Sequence, residues 1–254
     1  MIRATIARLT QGHHTIRFPD GPPPVLSDRY RGLPAVDRSR CPEGCHACAD
    51  VCPVGAIRID GRLTIDLGRC LFCRDCETAC PRQALTFGSD YRHAVRRRDQ
   101  LVFDPEKKEL ELAAALEKKM LALFGRSLKL RQVSAGGCNA CESDVNVLNT
   151  LAWDLGRFGI QMVASPRHAD GVLVTGPVTN NMALALKKTW AAIAEPRLSI
   201  AVGACAISGG PFIGNPDAGT GAEPIIPIDL YIPGCPPHPL TILDGLLRLL
   251  DRIR

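Results

Sequence analysis

Apolar and polar positions alternate in blocks through the second half of the chain. Five apolar runs, LKLRQVSAGGC, GIQMVAS, GVLVTGP, LSIAVGAC and LYIPGC, predict strands, and all but the second end in a glycine turn. Helical periodicity fills most of the gaps. Val145, Leu148, Ala152 and Leu155 fall on one face, Met182, Leu186, Trp190 and Ile193 on another, and Leu243, Leu246, Leu247 and Leu250 mark a final helix. Strands alternating with helices imply βαβ units and a parallel sheet covered on both faces. The strand C-termini of such a sheet share one edge, where ligands bind. Cys138, Cys205 and Cys235 each follow a strand, so residues far apart in sequence are delivered to that edge.

Upstream, a long helix is predicted. Asp104 suits an N-cap, Pro105 the first helical position and Gly125 the C-terminal stop, and the intervening EKKELELAAALEKKMLALF is rich in strong helix formers. Residues 91–126 therefore read as a helical linker between a first domain at 41–90 and a second at 127–254. Residues 1–40 are polar and turn-rich, with Pro22-Pro23-Pro24. They read as an N-terminal extension that wraps a neighbour or packs on the first domain.

Composition narrows the class. Of 254 residues, 46% are apolar and 22% charged, which excludes disorder and coiled coil as global answers. No window approaches 18 consecutive apolar residues, so no transmembrane segment is expected. The N-terminus does not read as a secretory signal. Residues 1–100 hold 16 Lys and Arg against 11 Asp and Glu, and the remainder is balanced at 15 and 15. A basic front half suggests nucleic acid, but Arg96-Arg97-Arg98 lacks aromatic interleaving. Metal centres bound by thiolates also bring compensating negative charge. We expect no nucleic-acid partner.

The twelve cysteines carry the chemistry. In a reducing compartment they are metal ligands or reactive groups rather than disulfides. Eight of them fall in an internal repeat: CHACADVCPVGAI and CRDCETACPRQAL superpose at an offset of 28, with one extra residue between Cys41 and Cys45 that Gly44 can absorb. The second copy has the Cys-x2-Cys-x2-Cys-x3-Cys-Pro spacing of bacterial two-cluster ferredoxins, in which the fourth cysteine ligates the other cluster. This assigns Cys41, Cys45, Cys48 and Cys80 to one [4Fe–4S] cluster and Cys70, Cys73, Cys76 and Cys52 to a second. The alternative is a structural zinc protein with all-thiolate sites, although zinc sites usually set two Cys-x2-Cys pairs farther apart. By spacing alone, Cys138 and Cys141 also fit a redox dithiol, and Cys205 and Cys235 fit inert buried thiols. Glycines at 136, 137, 203 and 234 argue for a bulky group nearby, with backbone N–H groups free to bond sulfur.

GGCNACES, TGPVT, VGAC and PGCPPHP resemble the small-subunit family of [NiFe] hydrogenases, which includes the complex I subunit holding the terminal cluster. The resemblance spans roughly 127–254. It implies a flavodoxin-like α/β domain and a third [4Fe–4S] cluster on Cys138, Cys141, Cys205 and Cys235. Residues 29–90 resemble the two-cluster ferredoxin subunit that partners that small subunit. The chain thus resembles a fusion of the two: an α+β two-cluster bacterial ferredoxin-like domain joined by a helix to a flavodoxin-like α/β domain with a parallel sheet. Such pairs occur in complex I and in membrane-bound energy-converting hydrogenases, including formate hydrogenlyase-type complexes.

The resemblance implies an electron relay through three [4Fe–4S] clusters to or from the NiFe site of a partner large subunit. The chain has no complete active site of its own, since no cysteines are left over for nickel. The expected partners are the hydrogenase large subunit or its complex I-like homologue, other peripheral-arm and membrane-arm subunits, and an upstream redox module. The expected location is the cytoplasmic face of the inner membrane, held there through partners. The separated pair Cys138-Asn-Ala-Cys141 favours the hydrogenase branch over a quinone-linked complex I-like assembly lacking NiFe, which remains the alternative. His238 stands where many relatives have Arg. Glu142 and Asp144 are candidates for a proton path, with dipole-favoured helix N-terminal acids as the other reading. The long loop 206–227 is expected to shield the third cluster and contact the large subunit.

Overall fold

The computed structural model describes residues 2–106 and 110–253. A first helix, α1 (Ile2–Gln11), buries no side chain. The following segment crosses the larger domain before it reaches the smaller. The Ile16 N–H donates to the Ala152 carbonyl (2.8 Å), and Arg157 donates to the carbonyl of Phe18, whose ring is buried. The segment then forms β1 (Pro34–Val36). The extension therefore packs on both domains and not on the first alone.

The cysteine repeat is also a structural repeat. In chain order it forms α2 (Ala47–Asp50), β2 (Ile57–Asp60), β3 (Arg62–Asp66), α3 (Asp75–Thr78) and β4 (Leu85–Phe87). The two short helices, and the strands that follow them, start 28 residues apart. Strand β4 pairs antiparallel with β1, and β2 pairs with β3, which pairs with β5 (Val102–Phe103). Leu63, Ile65, Leu67, Leu101 and Phe103 fill the space between these sheets and the ligand loops. The extra residue of the first copy is absorbed at Gly44, which has φ +72°, a conformation that glycine adopts without a Cβ clash.

The expected helix over 105–124 is not formed along its length. Among the described residues of this stretch only α4 (Lys118–Phe124) is helical; residues 107–109 lie outside the described residues, and 110–117 form neither helix nor strand. Asp104 accepts the Glu106 N–H in a local turn instead of capping a helix. The cause is tertiary. The Ala113 N–H donates to Ala94 and the Leu116 N–H to Leu249, while Arg96 reaches the carbonyls of Ala114 and Ala115. Buried Ala113 and Leu116 gain more against the second domain than helix propensity, a few tenths of a kcal/mol per residue, returns. The linker is thus a strap sewn onto the second domain. Val95 extends the sewing by exchanging both backbone hydrogen bonds with Tyr231 and so covers a sheet edge.

The second domain contains β6 (Leu128–Ser134), α5 (Ala140–Val147), β7 (Ile160–Met162), β8 (Gly171–Thr175), α6 (Asn180–Ala191), β9 (Leu198–Val202), α7 (Ala204–Ser208), β10 (Leu230–Ile232) and α8 (Pro239–Leu249). All five predicted strands are present and parallel, in the order β7-β6-β8-β9-β10. This is the flavodoxin-like 2-1-3-4-5 order, whose switch point lies between the first and third strands. Here it falls between β6 and β8, where the loop to Cys138 begins. Strands β8 and β9 are buried at every residue, which explains their predominantly apolar runs. Helix α8 is buried along its whole length and carries the ion pair Asp244–Arg248 at 2.8 Å. Leu246→Ala in this helix should lower unfolding free energy by about 2–5 kcal/mol; denaturant titration showing a loss below about 1 kcal/mol would contradict this packing.

Candidate metal centres

Of the eight cysteines of the first domain, Cys70 and Cys76 are buried and the other six are partly buried. Cys52, Cys70, Cys73 and Cys76 line one cavity, together with Ile57, Ile65 and Phe87. Cys52 belongs to the first copy of the repeat and the other three to the second. Its sulfur accepts the Ala56 N–H at 3.2 Å, and Cys80 accepts the Ala84 N–H at the same distance, so the two copies share this bond as well. Cys70 accepts the Phe72 N–H at 3.3 Å. On the far side, Cys41 and Pro42 line a cleft with Pro81 and Arg82, next to Cys80.

In the second domain, Cys138 follows β6, Cys141 lies in the first turn of α5, Cys205 lies in α7 after β9, and Cys235 follows β10. The sheet edge collects all four. Cys141 and Cys205 are buried, and Cys138 and Cys235 are exposed. Two glycines make room for the buried pair. A Cβ on Gly203 would lie 2.5 Å from the Cys141 sulfur, and one on Gly210 would lie 2.7 Å from the Cys205 sulfur. Of the four glycines singled out in the sequence, only Gly203 meets a cysteine sulfur. Gly136 faces Thr179, Gly137 faces Gly176 and Gly234 faces Pro237. Gly210 is not distinguishable in the sequence, because it sits in a loop with several other glycines.

The electrostatics show what these sets lack. Burial pushes the Cys70 thiol up to about 12, and neighbouring Cys76, Cys52 and Cys73 push the same way against the Phe72 N–H. Cys76 also rises to about 12, through burial and then Cys73, Cys52 and Cys48. Cys141 is raised by burial and then by Cys205 and Cys235, and Cys205 reaches about 12 through burial, Cys235 and Cys138. Cys48 is raised by burial and by Cys41. At Cys80 burial acts upward too, but the N–H groups of Leu85, Ala84, Arg82 and Gln83 outweigh it and the thiol is lowered. Thiols that oppose each other's ionisation become thiolates together only around a positive centre. The donor chemistry, the shared cavity and the glycine cradle fit iron–sulfur clusters. Among the described residues, no three His, Cys, Asp or Glu side chains are gathered tightly enough for a single metal ion.

The proposed sets follow one another at close range: Cys48 lies within electrostatic range of Cys76, and Cys73 of Cys235. A cavity of about 260 Å³ lies at the second junction and is lined by Arg31, Phe72, His93, Asp144, Cys235 and His238, among others. Glu142 is buried away from this cavity, where its Oε1 accepts from Ser134 (2.6 Å) and Thr175 (2.7 Å) and ties α5 to β6 and β8. Asp144 is half-buried, and burial raises its carboxyl. The C-terminal end of α7 meets the first domain: Ser208 donates to the Gly68 carbonyl at 2.9 Å. Tyr30, Arg31 and His93, which cluster at the second junction, carry no sequence signal that marks them.

A family model described as NADH ubiquinone oxidoreductase, 20 Kd subunit, matches residues 138–249 and takes in all four cysteines of the second domain. A 4Fe-4S dicluster domain matches residues 40–84 and takes in the other eight. The "Probable membrane-bound hydrogenase subunit mbhJ" of Pyrococcus furiosus is 38% identical over 148 residues, which are 58% of this chain and 87% of that protein. The chain belongs to this 20 Kd subunit family. Family members named for different complexes are about equally similar to it. Formate hydrogenlyase subunit 7 of Escherichia coli is 40% identical over 135 residues, covering 53% of each chain. An NADH-quinone oxidoreductase subunit of Bacteroides fragilis is 40% identical over 133 residues, covering 52% of this chain and 67% of its own. The described residues contain no helix long and apolar enough to cross a membrane.

Proposed function

We propose that this family member is an electron-relay subunit with three [4Fe–4S] clusters, held by Cys41, Cys45, Cys48 and Cys80, by Cys52, Cys70, Cys73 and Cys76, and by Cys138, Cys141, Cys205 and Cys235. The observation that carries the reading is the cavity lined by Cys52, Cys70, Cys73 and Cys76, from both copies of the repeat, with Cys48 within electrostatic range of it on one side and Cys235 on the other; on this reading a ferredoxin-like domain at 41–90 meets a flavodoxin-like domain at 127–254. When bound, such clusters supply one-electron transfer. The protein positions them, excludes water from the middle set, and directs backbone N–H groups at sulfur. The terminal set opens at exposed Cys138 and Cys235. There we place the partner large subunit of a membrane-bound hydrogenase complex and its NiFe site. The chain is then peripheral to the cytoplasmic face, and an upstream redox module faces Cys41. The similarity to the NADH-quinone oxidoreductase relative supports a second reading, a quinone-linked complex without nickel. The large subunit that co-purifies decides between them through the presence or absence of its nickel-binding cysteines.

Anaerobically purified complex should contain about twelve irons per chain and give iron–sulfur EPR signals on reduction; colourless, EPR-silent material would overturn the reading. Glu142 and Asp144 are proposed as a proton path beside the terminal set. On that proposal Glu142→Gln with Asp144→Asn slows turnover and displaces its pH profile, and an unchanged profile assigns both acids to structure.

A further inference from the structure

Residues 27–33 cross the junction between the two domains, and two consecutive side chains point to opposite sides of it. The Tyr30 hydroxyl lies 3.3 Å from the Thr241 hydroxyl on α8, and its ring packs edge-on against His238. Arg31 turns the other way. Its Nη1 donates to the Phe72 carbonyl at 2.9 Å and reaches the Cys73 carbonyl at 3.4 Å. Gly32 then passes so close to the Asp90 backbone that a side chain has no room, which fixes the path of the strap. Arg31 also lines the cavity that contains Gly234 and Cys235. Among the described residues, no carboxylate lies within ion-pair distance of its guanidinium, although Asp144 also lines the cavity.

We propose that Arg31 is a positioning residue that sets how readily the cluster on Cys52, Cys70, Cys73 and Cys76 accepts an electron, by placing an uncompensated positive charge on that cluster's ligand loop at its junction with the terminal set. The inference rests on the cluster assignment proposed above. One electron enters the cluster and no bond forms or breaks, so the cluster's charge becomes more negative by one. A nearby cation stabilises that state more than the oxidised one. One guanidinium nitrogen, Nη1, serves both carbonyls of the loop while the charge stays in place, and lysine keeps that charge on a more flexible stem. Solvent reaches Arg31, so the effect is screened.

The test is an EPR-monitored redox titration of the intact complex at fixed pH. The signal to follow is the one abolished by Cys52→Ser, and the signal abolished by Cys80→Ser serves as an internal reference. Arg31→Gln should lower the one-electron reduction equilibrium of the first signal by about three- to tenfold, or about 30–60 mV. Arg31→Lys should retain most of the wild-type value, and the reference signal should not move. Arg29→Glu, on the rim of the same cavity, should shift the signal in the same direction and provides the test if Arg31→Gln does not load iron. An unmoved midpoint in Arg31→Gln and Arg29→Glu, with clusters intact, overturns the inference. So does an equal shift in Arg31→Lys, which would assign the effect to packing. Wild-type complex without iron–sulfur signals would instead defeat the cluster assignment itself.

Discussion

Cys80→Ser is expected to remove about four of twelve irons per chain, and the EPR signal lost is the one that also disappears in Cys45→Ser, not the one lost in Cys73→Ser. Sequence proximity would suggest the reverse, because Cys80 lies in the same motif as Cys70, Cys73 and Cys76. Geometry argues for the exchange. The cavity that holds those three cysteines is completed by Cys52, from the other copy, and Cys80 does not line it. Cys80 occupies in its own copy the place that Cys52 occupies in the first, with the matching N–H bond from Ala84. A short ligand loop supplies three corners of a cubane, and the fourth approaches from outside the loop. Serine lacks the soft sulfur that iron–sulfur chemistry selects, so the loss should be near complete. Cys52→Ser is the reciprocal experiment and should abolish the Cys73 signal. If Cys80→Ser and Cys73→Ser instead remove the same signal, each copy holds its own cluster and the exchange is wrong.

The parts of the fold that are legible in the sequence are those in which local pattern and tertiary environment agree. Strands β8 and β9 are buried on both faces and read as predominantly apolar runs. The cysteine repeat is legible because its spacing is a ligand geometry. The stretch 105–124 misleads because its strong helix formers include Ala113 and Leu116, which are buried in the folded chain, and backbone bonds to Ala94 and Leu249, distant in sequence, hold them there outside a helix. Propensity cannot register such a partner. Tyr30 and Arg31 are silent in the sequence for a related reason. They sit in a polar stretch without periodicity, and their role comes from what lies on either side of the strap in space. Sequence order does not predict the closeness of Cys73 to Cys235 either, since it depends on the first domain docking against the β10 side of the sheet.

Gly203→Ala is expected to cost the terminal cluster while sparing the other two. Gly203 links β9 to α7 with φ +89°, where an L side chain is strained, and the added methyl would lie 2.5 Å from the Cys141 sulfur. The surroundings cannot give way. The Gly203 N–H donates to the Ile232 carbonyl at 2.8 Å and the Ala204 N–H to the Gly234 carbonyl at 2.8 Å, so both neighbouring peptides are fixed to the loop that carries Cys235. Moving Gly203 would therefore disturb Cys205 and Cys235 together, and moving Cys141 would disturb α5. The flavodoxin-like domain loses stability by about 1–3 kcal/mol from backbone strain alone. A domain that still folds should keep the ferredoxin-like signals and lack the one that Cys141→Ser also lacks. The comparison variant Gly214→Ala shares the positive φ, but its Cβ meets nothing within 4 Å. It should keep all twelve irons, which separates crowding at the sulfur from backbone strain. A Gly203→Ala chain with the full iron content and an unaltered terminal signal would show that the sheet edge does not close on the cluster at this point.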